Sequence, residues 1–207
     1  MGLVKQKIVK LSVRGKPQPE RGCDELAAAL EDADAARRRQ AAREIAQCPE
    51  ASAALVSRLK CEQDGAVREV ILSALIHLHD PSALSGLVDC LRSEDVALRN
   101  EVIETFKRLN NEVAPILRSL LADPDPDIRI FAVNILDSER HPEAETLLID
   151  VIERDRHLNV CATAVDQLCE VGTEAAIDPL ARLKVRFPSE PYIQFAADLA
   201  LKRIREV

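Results

Sequence analysis

The sequence predicts an all-α chain, an α-solenoid (superhelix) of about six antiparallel helix pairs, and three observations carry that expectation. The first is a turn-and-helix segment, "DPDPDIRIFAVNIL" from Asp123 to Leu136, which recurs in close copies along the chain. The second is composition. Of the 207 residues 47% are hydrophobic, nearly all Ala, Leu, Val and Ile, while aromatics make up 2% with one Tyr and no Trp; this suits closely packed helices better than a sheet and is enough to bury a substantial core. The third is apolar spacing at the helical period after every copy of the turn.

The repeat is read on the pattern Asp-x-x-apolar-Arg. Clear copies are "DGAVR" (Asp64 to Arg68), "DVALR" (Asp95 to Arg99) and "DPDIR" (Asp125 to Arg129); degenerate ones are "DAARR" (Asp34 to Arg38) and "DRHLN" (Asp155 to Asn159), so the aspartates step by 30, 31, 30 and 30 residues. Downstream, Val67, Ile71, Ala74, Leu75 and Leu78, or Ile128, Ala132, Ile135 and Leu136, draw one broad apolar stripe on a helix. Between these helices lie shorter apolar segments, "AALVSRL", "LSGLVDCL", "VAPILRSLL", "ETLLIDVI" and "AIDPLARL", which make the first helix of each following pair. The stack opens at "CDELAAALED" and closes with "PYIQFAADLALKRIREV", whose basic tail suits the negative end of a helix dipole and reads as a terminal cap.

The turn residues have mechanical roles. An Asp just ahead of a helix accepts hydrogen bonds from its unpaired first N–H groups. The repeated Arg, one turn in, is placed to bond an acidic turn group of its own or a neighbouring unit. Pro81, Pro124, Pro126 and Pro142 fall in the connections, where a missing donor does no harm.

Residues 1–20, "MGLVKQKIVKLSVRGKPQPE", do not fit the repeat and are read as a basic arm ahead of a single repeat domain, 21–207. Residues 1–19 hold Lys5, Lys7, Lys10, Arg14 and Lys16 and no acid, so residues 20–207 have 23 bases against 35 acids, a net −12. Such a body repels phosphate backbones and argues against nucleic acid as a partner. No apolar run reaches a membrane span and no signal-peptide core is visible, so a cytoplasmic protein without a membrane span is expected. The six cysteines, Cys23, Cys48, Cys61, Cys90, Cys161 and Cys169, include no CxxC pair. They read as small core hydrophobes, without disulfide or zinc site. Of the histidines, His77 and His79 with Asp80 in "HLHD" come nearest to a metal cluster, but residues at i and i+2 on a helix point apart.

The serial Asp-x-x-Val-Arg turn and helix resembles HEAT-type repeats, in particular the short bacterial variety called the phycobilisome-lyase HEAT-like repeat, over residues 22–207. The first and fifth units depart from it, with Arg37 at the apolar position and Asn159 at the Arg position. The resemblance implies a continuous core and a long surface presented to another protein. It implies a non-catalytic adaptor in a bacterial cytosolic signalling complex; the alternative is a bilin lyase or chaperone-like subunit acting on a phycobiliprotein. HEAT-repeat hydroxylases that take iron ligands from His-Glu dipeptides are excluded, since the chain has no His-Glu. There is also no GxSxG nucleophile and no glycine-rich phosphate loop. The expectation is therefore of no enzyme activity, no cofactor, and a protein partner.

That partner is expected on the outward face of the second helix in each pair. With the repeated Arg as reference, the face opposite the buried stripe falls at offsets +1, +5 and +8. These positions, with the adjacent Phe131, select Arg39, Arg43, Glu69, Asn100, Glu104, Ile130, Phe131, Asn134, Val160 and Gln167, besides Asp137. The row runs from basic through mixed charge to partly apolar at Ile130, Phe131 and Val160, which are either an interaction patch or residues buried between adjacent units.

Overall fold

Where the chain places an aspartate, a helix starts. In the computed structural model, which describes residues 21–109, 114–136 and 143–206, Asp34, Asp64, Asp95 and Asp125 each stand at an N-cap and accept from backbone N–H groups two or three residues on. The basic arm 1–20, together with Asp137, His141 and Pro142, lies outside the described residues. Because Asp64 accepts from both Ala66 and Val67, Asp64→Ala is expected to cost about 1 kcal/mol, read as a lower chemical-denaturation midpoint.

Among the described residues there are twelve α-helices in six pairs: α1 (Cys23–Ala29) with α2 (Ala35–Ile45), α3 (Ala51–Cys61) with α4 (Gly65–Leu78), α5 (Pro81–Cys90) with α6 (Val96–Lys107), α7 (Ala114–Leu121) with α8 (Pro126–Ile135), α9 (Ala144–Arg154) with α10 (Leu158–Val171), and α11 (Ile177–Arg186) with α12 (Pro191–Glu206). The all-α solenoid of six helix pairs is the architecture expected from the repeat. The even-numbered helices stack in sequence, α2 on α4 through to α10 on α12, and form one layer; α3 on α5 and α9 on α11 belong to the other. One core runs from Leu26 to Ile204, with Phe106 its largest fully buried side chain. In the odd layer α7 is eight residues long and packs chiefly on α8, leaving a cleft on each side, towards α5 and towards α9. No helix of the described residues is long and apolar enough to cross a membrane.

The repeated arginines tie this stack together, as the turn chemistry leads one to expect. Each reaches back to the carbonyl six residues earlier: Arg38 to Asp32 at 2.8 Å, Arg68 to Glu62 at 2.7 Å, Arg129 to Asp123 at 2.8 Å, and Arg99 to Ser93. Three also reach forward to the next unit. Arg38 donates to both oxygens of Glu62 at 2.7 and 2.8 Å, Arg129 to both oxygens of Asp155 at 2.6 and 3.1 Å, and Arg68 pairs with Asp95. Arg99 instead sits over the Phe131 ring at 5.7 Å.

The fifth unit corrects the register drawn from sequence. In units one to four the residue two before the N-cap accepts the N-cap's own N–H: Asp32, Glu62, Ser93 and Asp123 do so. Asp155 plays that part for His157, at 2.8 Å, so His157, not Asp155, is the N-cap of α10. The helix therefore begins two residues later than the aspartate spacing suggests, and Cys161, not Asn159, holds the arginine position. Its thiol points to the Asp155 carbonyl at 3.4 Å, the same i−6 contact the arginines make. The missing guanidinium is supplied from α11: Arg186 reaches the Cys161 sulfur at 3.0 Å and the Glu153 carbonyl at 2.7 Å.

A second correction concerns cysteine. Cys23 and Cys48 are joined by a disulfide, with Cα atoms 5.7 Å apart, where the sequence reading expected none. The spacing of 25 residues offers no local signature, because the pairing arises from α1 folding back on the end of α2. Cys90 and Cys161 are free and buried, as core hydrophobes should be.

Candidate functional site

The outward row of the even-numbered helices can now be traced in the observed register. Arg39 is half-buried and Arg43 exposed on α2; Glu69 is exposed on α4; Asn100 and Glu104 are exposed on α6. The structure brings Glu69, Asn100 and Glu104 together around one cleft of about 320 Å³ between α4 and α6, with Glu101 in its wall. Burial pushes the Glu101 carboxyl up, against the pull of the Arg68 guanidinium 3.9 Å away. Lys107 bridges to Glu104 at 2.8 Å on the same face.

On α8, Ile130, Phe131 and Asn134 are half-buried, with the Phe131 ring held beneath Arg99. Val160 is fully buried and leaves the row, while Gln167 is half-buried at its flank. The cause is the two-residue shift in unit five: counted from Cys161, the outward offsets fall on Ala162, Asp166 and Cys169, and Val160 turns into the core.

The row continues onto α12, where the sequence reading saw only a cap. Gln194 takes the arginine's place, donating to the Lys184 and Phe187 carbonyls at 2.9 and 3.0 Å. The outward offsets from it are Phe195, Leu199 and Lys202. Phe195 is 67% exposed, Tyr192 55% and Leu199 40%, the most prominent cluster of exposed large apolar side chains among the described residues. The Tyr192 hydroxyl donates to the Asp166 carboxylate of α10 at 2.8 Å, so the aromatic end is fastened to the preceding unit. A signal for it was present in the sequence. Ile193, Ala196, Ala197, Ala200 and Ile204 already fill one buried stripe, so Tyr192, Phe195 and Leu199 at i, i+3 and i+7 form a second one. An exposed apolar cluster of this kind marks a surface that meets something.

The face is thus basic at its first unit, acidic at its middle and aromatic at its last. Among the described residues no group of three or more His, Cys, Asp or Glu is placed to hold a metal ion. His79 ends α4 in the left-handed region at φ 51°, and Asp80 caps α5, so the "HLHD" residues serve a helix junction.

Comparison with known proteins gives this geometry its context. The HEAT-repeat family pattern matches residues 23–107 and 84–160. A bilin biosynthesis protein, PecE of Mastigocladus laminosus, is 28% identical over 182 residues, covering 83% of this chain and 67% of that protein. Among solved structures, an engineered protein is 18% identical with a TM-score of 0.41, over 89% of this chain and 96% of its own. The complex of CpcE and CpcF of phycocyanin lyase from Nostoc sp. PCC7120 is 16% identical with a TM-score of 0.35, over 96% of this chain and 100% of that one. The relative named for bilin biosynthesis overturns the expectation of a non-catalytic chain. That expectation rested on missing motifs, which test only chemistries with a fixed local spacing; a site assembled from successive helices of an array leaves no such spacing. The relative's name also stands where the resemblance had implied a signalling complex. With the pattern matched over two overlapping stretches and six helix pairs in series, the chain belongs to the HEAT-repeat family.

Proposed function

We propose that the chain is a bilin-lyase-type subunit that engages a phycobiliprotein along the outward face of its even-numbered helices, while the linear tetrapyrrole is attached or detached. The observation that carries this reading is the similarity to a bilin biosynthesis protein across 83% of the chain. HEAT stacks are protein-interaction scaffolds, and the graded row supports a protein partner: charged groups from Arg43 to Glu104 confer orientation, and the aromatic end offers the apolar anchor on which affinity usually concentrates.

The test is a binding titration of purified chain against a purified apo-phycobiliprotein subunit, followed by an assay of its bilin content with the chain present and absent. Saturable binding and a changed rate of pigment gain or loss are expected. Phe195→Asp should weaken the binding about ten-fold or more while leaving helicity and melting unchanged, since the side chain is already 67% exposed. Absence of both binding and pigment transfer would remove the proposal.

A further inference from the structure

The odd layer carries a site that the outward row does not use. Between α7 and α9 lies a cleft of about 620 Å³, within the range that holds small-molecule ligands. Leu121, Leu147 and Val151 give it an apolar floor, and four guanidiniums, Arg118, Arg129, Arg154 and Arg156, stand around it. This concentration of arginine is unusual for a body whose net charge is −12, counted over residues 20–207.

What each charge already does decides what is left over. Arg129 is committed, held by both oxygens of Asp155 and by two turn carbonyls. Of the carboxylates in the wall, Asp155 is consumed by Arg129 and by the His157 N–H, and Asp123 by Arg92 and by the Asp125 N–H. The remaining arginines are different. Arg118 pairs with Glu143, both side chains 58% exposed, and Arg154 pairs with Asp150 at 3.4 Å with its own side chain 79% exposed. Exposed pairs of this kind contribute little and exchange readily. Arg156 is exposed and has no hydrogen-bond or ion-pair partner among the described residues. The balance is one uncommitted guanidinium and two loosely committed ones, grouped over an apolar floor.

We propose that this cleft binds the carboxylates of an elongated apolar acid, and in particular the paired propionates of an open-chain tetrapyrrole. Arg156 and Arg154 take the carboxylates in forked, charge-assisted hydrogen bonds, and the pyrrole rings lie against Leu121, Leu147 and Val151. The choice of a tetrapyrrole rests on the function proposed above; the choice of a carboxylate rests on the arginines alone.

The experiment uses the full chain, biliverdin as the free diacid, and biliverdin dimethyl ester, which has the same chromophore without the two charges. Binding is followed by visible absorbance. The diacid should bind about ten-fold or more tightly than the diester, and Arg154→Ala with Arg156→Ala should remove that preference while leaving the far-UV circular dichroism unchanged. Arg154→Lys with Arg156→Lys should keep part of it, since lysine retains charge without the fork. Equal affinity for diacid and diester, no binding of either, or a double alanine variant that discriminates as well as the parent overturns the inference. The two proposals fail separately. Phycobiliprotein binding and pigment transfer that survive loss of the cleft arginines would leave the lyase reading intact and the cleft without this role. Diacid-selective binding without any phycobiliprotein engagement would do the reverse.

Discussion

Glu62→Ala is expected to destabilise the chain by about 3–5 kcal/mol, the range seen when one member of a buried charge network is removed. The Glu62 side chain is 1% exposed and serves five donors: Arg38 twice at 2.7 and 2.8 Å, Arg58 at 2.9 Å, and the Gln63 and Asp64 N–H groups at 2.9 Å each. Truncation leaves two guanidiniums beside a void, with side-chain exposures of only 11% and 14%. Thermal unfolding followed by circular dichroism would read this as a fall of about 6–20 °C in Tm. The double change Arg38→Ala with Glu62→Ala should cost less than the sum of the two singles, because the orphaned charge is then gone. The same carboxylate sets an acid limit. Its hydrogen bond from Arg38, opposed by burial, lowers its pKa from 4.5 to about 2. A group whose folded pKa is depressed stabilises above its unfolded pKa and loses that stabilisation as pH falls towards the folded one. About 3 kcal/mol should therefore vanish between pH 4.5 and about 2, and the Glu62→Ala variant should show a correspondingly shallower acid dependence.

Gly86→Ala should lower stability by about 1–3 kcal/mol, against the usual gain of about 1 kcal/mol for replacing a glycine inside a helix. The glycine lies in α5, where α3 packs closest, and an added Cβ would stand 2.3 and 2.6 Å from the two methyl carbons of Val56. A β-branched neighbour cannot swing both methyls away. Val56→Ala makes the room, so the double variant should recover most of the loss, and chemical denaturation of the four-member cycle measures the coupling. A Gly86→Ala protein as stable as the parent would mean that α3 and α5 stand further apart in solution than here.

The number of helix pairs, their order and the linking role of the repeated arginine were all legible in the sequence, because each depends on local chemistry: an aspartate caps, an apolar stripe buries, a guanidinium seeks a carboxylate. What was not legible depended on distance along the chain or on an ambiguous residue. Asp155 resembles the capping aspartates but does the job of Glu62 two residues earlier, and only the hydrogen bond from His157 separates the two roles. That shift sent Val160 into the core and moved the outward row to Ala162 and Asp166. The Cys23–Cys48 bond joins residues whose nearness exists only after α1 folds back. On α12 the second apolar stripe was readable, but the basic tail drew the reading towards a cap. The α7–α9 cleft gave no sequence signal, since it reflects how loosely two helices meet.

The arginine contacts also make the protein a row of coupled units with unequal couplings. Units one and two, and four and five, are clasped by a two-pronged carboxylate, and units two and three by Arg68 with Asp95. Between three and four the repeated arginine meets an aromatic ring instead, while between five and six Arg186 returns the bond to Cys161 and Glu153, and Tyr192 is fastened to Asp166. A linear array separates at its weakest junction first. Heating should therefore divide the molecule into two blocks, with the boundary after α6 opening before the clasped ones, so that α7 to α12 can move away from the rest as a body. The charged and the aromatic parts of the outward face would then sit on different blocks, free to reorient towards a partner separately.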